Sequence, residues 1–186
     1  NKNYWDDSLP YLDKIIFAFV PDVTVQLAML RTGEAELITE VPGTDLPLIN
    51  KNPNLTISQF ESYNWYNLYM KITKPPYDNK ALREAIWYAL DKERLVQVQL
   101  GGHGRPAWNT WGFSWWGDSS FEPHKYDPKK AKEKLVEAGY PDGLTTPYWC
   151  MANDRELREC EIIQAIVGEV GINLEIKPVI TEDYRK

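Results

Sequence analysis

Few residues in this chain carry the chemistry of catalysis. His103 and His124 are its two histidines, and neither has a Ser, Cys or Asp partner at a spacing diagnostic of a nucleophile and its base. Gly101, Gly102 and Gly104 around His103 resemble a phosphate-cradling loop only superficially. They follow a helical pattern, no strand precedes them, and no Lys-Ser/Thr pair closes the run. Cys150 and Cys160 stand ten positions apart. In an oxidising compartment they could close a short loop, yet Cys160 also falls on the apolar stripe of an expected helix, where a free thiol serves as a small hydrophobe. Both readings stand. A thiolate metal site would need a His or acidic cluster at ligand spacing, and none completes the pattern. No catalytic residue, metal ligand or cofactor is therefore assigned.

The residues suited to binding are aromatic. Trp occurs 8 times in 186 residues, and Trp108, Trp111, Trp115 and Trp116, with Phe113, crowd into one aperiodic stretch from Gly101 to Tyr126. A compact domain seldom spends so long a loop without a use for it. Large aromatics on a Gly-rich loop cannot all reach a core, so some should line a groove while others plug the gap between helix and sheet. A second aromatic cluster is SYNWYNLYMK, Ser62 to Lys71. As a strand it would turn Tyr66, Leu68 and Met70 one way and Trp65, Asn67 and Tyr69 the other, so one face suits a core. The opposite face suits either a ligand wall or ordinary half-buried strand aromatics.

These groups need a scaffold, and its firmest part is Pro75 to Arg94. Leu82, Ala85, Ile86, Ala89 and Leu90 recur at helical spacing, and Asp78 or Asn79 can accept the free amides of the first turn. Asp91 should restart a helix through Leu95, Val96 and Gln99, ended by Gly101 and Gly102. Upstream, Lys14 to Val20 reads as a buried strand, Asp22 as the cap of a helix with Val23, Leu27 and Leu30 on one face, and Ala35 to Thr39 as a second strand. A short helix is expected near Thr44 to Ile49, and strands over Leu55 to Glu61 and Trp65 to Met70. Downstream, Asp127-Pro128 opens a helix with Ala131, Leu135 and Ala138 inside. Lys129, Lys130, Lys132 and Lys134 lie on its outer, solvated face. A strand over Tyr148 to Ala152, a helix from Leu157 to Val170 capped by Asp154, and a strand over Asn173 to Ile180 make a second βαβ unit. The fold class is α/β.

Composition sets the limits. With 43% hydrophobic and 26% charged residues the chain is an ordinary globular one, able to bury a core. A net charge of −6 gives no basic face for nucleic acid. No apolar run approaches the roughly 20 residues that a membrane-spanning helix requires. The chain begins at Asn1 in mid-pattern and is expected to be an internal segment of a longer protein.

Three blocks carry a resemblance. PPYDNKALREAIWYALDKERLV is similar to the PPF-D-x-x-x-R-x-A-x-x-x-A-[IL]-D-[RK] block of the extracytoplasmic solute-binding proteins that serve peptide/nickel-type ABC importers, family 5. PYLDKIIFAFVPD with LRTGEAELI, and YDPKKAKEKLVEAGYPDG, also resemble that family, in the same order. The resemblance implies a periplasmic-binding-protein-like type II fold with mixed sheets, residues 1–64 in a first lobe and 65–186 in the first half of a ligand-clasping lobe. It implies a binding protein and not an enzyme: a peptide is captured between lobes and delivered to membrane permease subunits, by a protein that is periplasmic or otherwise extracytoplasmic and monomeric at full length. An oligosaccharide stacked on Trp is the alternative solute, and an α/β enzyme or a scaffold interaction domain the alternative class. In the family the strand near Trp65 borders the cleft, so Tyr63 and Trp65 become candidate ligand residues beside Trp108, Trp111, Trp115 and Trp116. Arg155 sits where some members reach the ligand, a candidate contact for a carboxylate or hydroxyl.

Overall fold

A computed structural model describes residues 4–6, 8–60, 66–107 and 124–180, which divide into two compact units, Asn1–Pro42 and Gly43–Lys186. In the first, α1 (Val23–Thr32) begins where Asp22 accepts the amides of Thr24 and Val25, and it ends at Gly33, whose φ of 77° is the left-handed conformation expected there. The flanking strands do not form. Lys14–Val20 and Ala35–Thr39 enter no ladder, and Phe17 and Phe19 are 93% and 94% exposed. An apolar run becomes a strand only when a neighbour takes its amides and carbonyls, and no described residue does so here.

The second unit opens with α2 (Leu46–Asn50), which buries Leu46 and Ile49. The expected strand over residues 55–61 is likewise absent from the described part, 55–60. The core is built on α3 (Lys80–Ala89), capped by Asn79 through the amides of Ala81 and Leu82. Leu82, Ala85 and Ala89 are fully buried, with Ile86 and Tyr88 beside them, as the periodicity requires. Then α4 (Lys92–Leu100) runs from its cap Asp91 to Gly101. The helix α5 (Pro128–Glu137), capped by Asp127, lays Ala131 and Leu135 against α3. Two bonds fix that pair: Asn79 Nδ2 donates to the Ala138 carbonyl at 3.1 Å, and the Asp127 amide to that of Tyr88 at 2.9 Å.

One of the lysines expected on the solvated face of α5 does more. Lys134 is largely covered and its ammonium lies 2.8 Å from both Glu84 on α3 and Glu137. Those bonds raise the Lys134 pKa, and the Lys134 bond holds the Glu84 carboxyl below its ordinary range.

The sheet comprises β1 (Leu144–Met151) and β2 (Ile172–Val179), paired in parallel from Leu144 with Ile172 to Met151 with Val179. Each strand is longer at its start than the sequence suggested. Parallel neighbours need a crossover, supplied by α6 (Asp154–Gly168). The ladder opens where the Leu144 amide donates to the Gly171 carbonyl; a Cβ on Gly143 would meet that oxygen at 2.5 Å, so only glycine fits. Ile163, Val167 and Val170 from α6 and its end, with Ile172 and Leu174, join α3 and α5 in one core.

Candidate functional site

The turn from β1 into α6 is held at every residue. The Ala152 amide donates to the Val179 carbonyl, the Asn153 amide to that of Met151, and Asn153 Oδ1 caps the helix by accepting the Glu156 amide at 3.0 Å. The cap is thus Asn153, one residue before the expected Asp154, because an Asx side chain reaches the amide three residues on. Cys150 at the end of β1 and Cys160 in α6 are both buried and joined as a disulfide, with Cα atoms 6.5 Å apart. Of the two readings of these cysteines, the cross-link is the one realised.

Arg155 lies in the first turn of α6, inside the ring that this disulfide closes. It is exposed, and its guanidinium carbon stands 5.0 Å from the centre of the Tyr66 ring. Gln99 of α4 donates to the Arg155 carbonyl at 3.5 Å. A cation near a helix N-terminus opposes the dipole by about 0.3–1 kcal/mol, and stacking on an aromatic face returns a similar amount. The result is an exposed guanidinium held over an aromatic ring, a group whose fork of donors matches the geometry of a carboxylate.

One turn further in, Glu159 is buried, and its Oε2 has no hydrogen-bond partner among the described residues. Burial pushes its carboxyl up to about 7, the negative charge of Glu156 adds to the shift, and Arg155 opposes it. Sequence reasoning passed over Glu159. Its signal was there, since it sits four positions before Ile163 on the apolar stripe.

Of the sequence-derived candidates, Tyr63, Trp65, Trp108, Trp111, Trp115 and Trp116 lie outside the described residues, as does Phe113. The residues that flank them are described. The segment 66–70 enters no ladder, yet it keeps the expected alternation: Leu68 and Met70 pack on the core while Asn67 and Tyr69 are exposed. Tyr66 departs from it, facing Arg155 where a core position was expected. Ala107 accepts from Lys92 Nζ at 3.0 Å, and the same ammonium lies over the Trp87 ring, its pKa lowered by burial. Trp87 Nε1 donates to the His124 carbonyl, while the His124 ring stacks on Tyr88 and its Nδ1 is 3.2 Å from the Tyr88 hydroxyl. His124 is thereby a structural fastening to α3. Trp149, next to Cys150, is 58% exposed, an aromatic that no motif or spacing singles out.

Among the described residues no group of His, Cys, Asp or Glu could hold a metal, and no helix is long and apolar enough to cross a membrane.

Comparison with known proteins places this geometry. The glutathione-binding protein GsiB of Salmonella typhi is 36% identical over 174 residues, and that of Escherichia coli K12 is 35% identical; the match covers 93% of this chain and 34% of each relative. The chain thus spans about a third of the length of the curated relatives it matches. Among solved structures, the periplasmic binding protein DppA of Helicobacter pylori in complex with the peptide STSA superposes with a TM-score of 0.84 at 28% identity, over 99% of this chain and 36% of that one. A dipeptide-binding protein of Pseudoalteromonas in complex with Met-Leu gives 0.70 at 23% identity over 89% and 34%, a likeness of fold. The fold is the α/β, type II periplasmic-binding-protein-like one. The pattern of the bacterial extracellular solute-binding proteins, family 5 Middle, matches residues 1–186, and the chain belongs to that family.

Proposed function

We propose that this chain is part of the solute-binding component of an ABC importer, which captures a peptide reversibly between two lobes and hands it to membrane permease subunits. Residues 1–64 contribute to the first lobe and 65–186 to the ligand-clasping lobe, and closure about hinge strands traps the solute. The full-length protein is extracytoplasmic, monomeric, without a cofactor, and performs no covalent chemistry. Arg155 receives the solute's carboxylate or a hydroxyl, beside the aromatic wall begun by Tyr63 and Trp65 and completed by tryptophans among Trp108, Trp111, Trp115 and Trp116.

The observation that carries this reading is the Arg155 guanidinium resting on Tyr66, the residue after Trp65. It joins the one charged candidate to the aromatic segment from 89 positions away in sequence. GsiB and the peptide-bound DppA point to the same class of solute. Calorimetry of the full-length protein against di- to pentapeptides and against cello- and xylo-oligosaccharides tests it. Heat with peptides alone supports the reading. Heat with oligosaccharides alone replaces the solute, and silence with both overturns the reading.

A further inference from the structure

The disulfide is not a member of the buried cluster built on α3 and α5, and what it encloses is the turn that carries Arg155. We propose that the Cys150–Cys160 bond is a positioning staple for Arg155, holding the start of α6 so that the guanidinium stays on Tyr66 and thereby setting affinity for a solute carboxylate. This rests on the function proposed above.

Three features of the ring formed by residues 150–160 lead there. Its ends are fixed independently: Cys150 belongs to the ladder, opposite Pro178, and Cys160 lies a turn and a half into α6. Between them the start of α6 hangs on Asn153, whose side chain accepts the Glu156 amide and whose carbonyl accepts the Leu157 amide, both at 3.0 Å. The bond that reaches the Arg155 backbone from α4, Gln99 to its carbonyl, is long at 3.5 Å. Beneath Arg155 lies Glu159, a buried carboxyl with an unpartnered oxygen, which gives this end of α6 a reason to shift outward. A cross-link directly after Glu159 opposes that movement. The core has no comparable need, because Ile163, Val167 and Val170 already anchor the rest of the helix.

The test uses the full-length protein with both cysteines replaced, as C150A/C160A and as C150V/C160A, the second keeping the buried volume at Cys150 should the first not fold. Hydrogen exchange at the amides of residues 155–158 is expected to accelerate tenfold or more, with exchange at Ile163–Val167 unchanged. Calorimetry with the tetrapeptide Ser-Thr-Ser-Ala is expected to show affinity lowered about tenfold. In an Arg155→Ala background, removing the disulfide should cost no further affinity. Unchanged exchange at 155–158 in a folded variant overturns the staple, as does an equal loss of affinity with and without Arg155. If both variants fail to fold, the bond holds the whole unit, and the staple is overturned equally. If the parent protein gives no heat with Ser-Thr-Ser-Ala, the peptide reading is what suffers, and exchange still decides the staple.

Discussion

Lys14–Val20 and Leu144–Met151 read alike as sequence, each a run of apolar, aromatic or β-branched residues, yet the second is a strand and the first is not. The difference lies in what each finds. Leu144–Met151 is followed after one helix by Ile172–Val179, which meets it residue for residue, with Thr146 and Cys150 buried and Tyr148 half-buried on one side. Lys14–Val20 meets no ladder among the described residues, and Ile15, Ile16, Phe17 and Phe19 are exposed on both sides of the run. A strand's hydrogen bonds belong to its partner, whereas a helix closes its own.

The contrast predicts where substitutions bite. Leu82 is fully enclosed by α3, α5 and α6, so Leu82→Ala should lower the stability of the 186-residue chain by about 3–5 kcal/mol, against less than about 0.5 kcal/mol for Phe17→Ala. Denaturant titration of both variants checks this, and equal losses would erase the distinction between the packed core and the exposed run.

A smaller effect sits within the packed unit. Glu159 ordinarily titrates at 4.5 and here at about 7, so between those values the folded chain holds a proton that the unfolded chain has released. Stability is therefore greatest below about 4.5 as far as this group is concerned, and falls as pH rises to 7. The converted shift is of the order of 2–4 kcal/mol. Glu159→Gln should flatten that slope and raise the melting temperature at pH 8; an unaltered pH profile would show that the carboxyl is solvated after all.

Smaller again is the Lys134 contact with Glu84 and Glu137. Lys134→Ala should lower stability only slightly at pH 7, because the bonds are short but solvent still screens the charges. Since the pKa of Glu84 is depressed, the part due to that pair is present above its ordinary pKa and disappears as pH falls through the folded value. A loss that persists undiminished in acid would point to packing of the lysine stem instead.

Which features were legible follows the same logic. The helices among the described residues could be placed from their own residues: Asp22, Asn79, Asp91 and Asp127 cap where their side chains predict, the cap of α6 moves from Asp154 to Asn153, and the stripe from Leu82 to Ala89 is the buried one. The strands at 144–151 and 172–179 were found with shifted ends, since a ladder's extent depends on register and not on either run alone. The strands expected at 14–20, 35–39 and 55–61 required partners that no local pattern can announce. At the site, Arg155 was chosen by resemblance, but its seat on Tyr66 was hidden, because alternation assigned that tyrosine to the core. Glu159 was overlooked, since a carboxylate on an apolar stripe looks like an error until its burial is seen.

The central claim is that Arg155, laid on Tyr66, reads a solute carboxylate, and one comparison of affinities addresses it. Ser-Thr-Ser-Ala and its C-terminal amide are titrated into the full-length protein and into Arg155→Ala. The parent protein should bind the free acid at least tenfold more tightly than the amide, and Arg155→Ala should bind the two alike. Equal preference for the acid in both proteins would contradict the assignment and move the carboxylate contact to another residue.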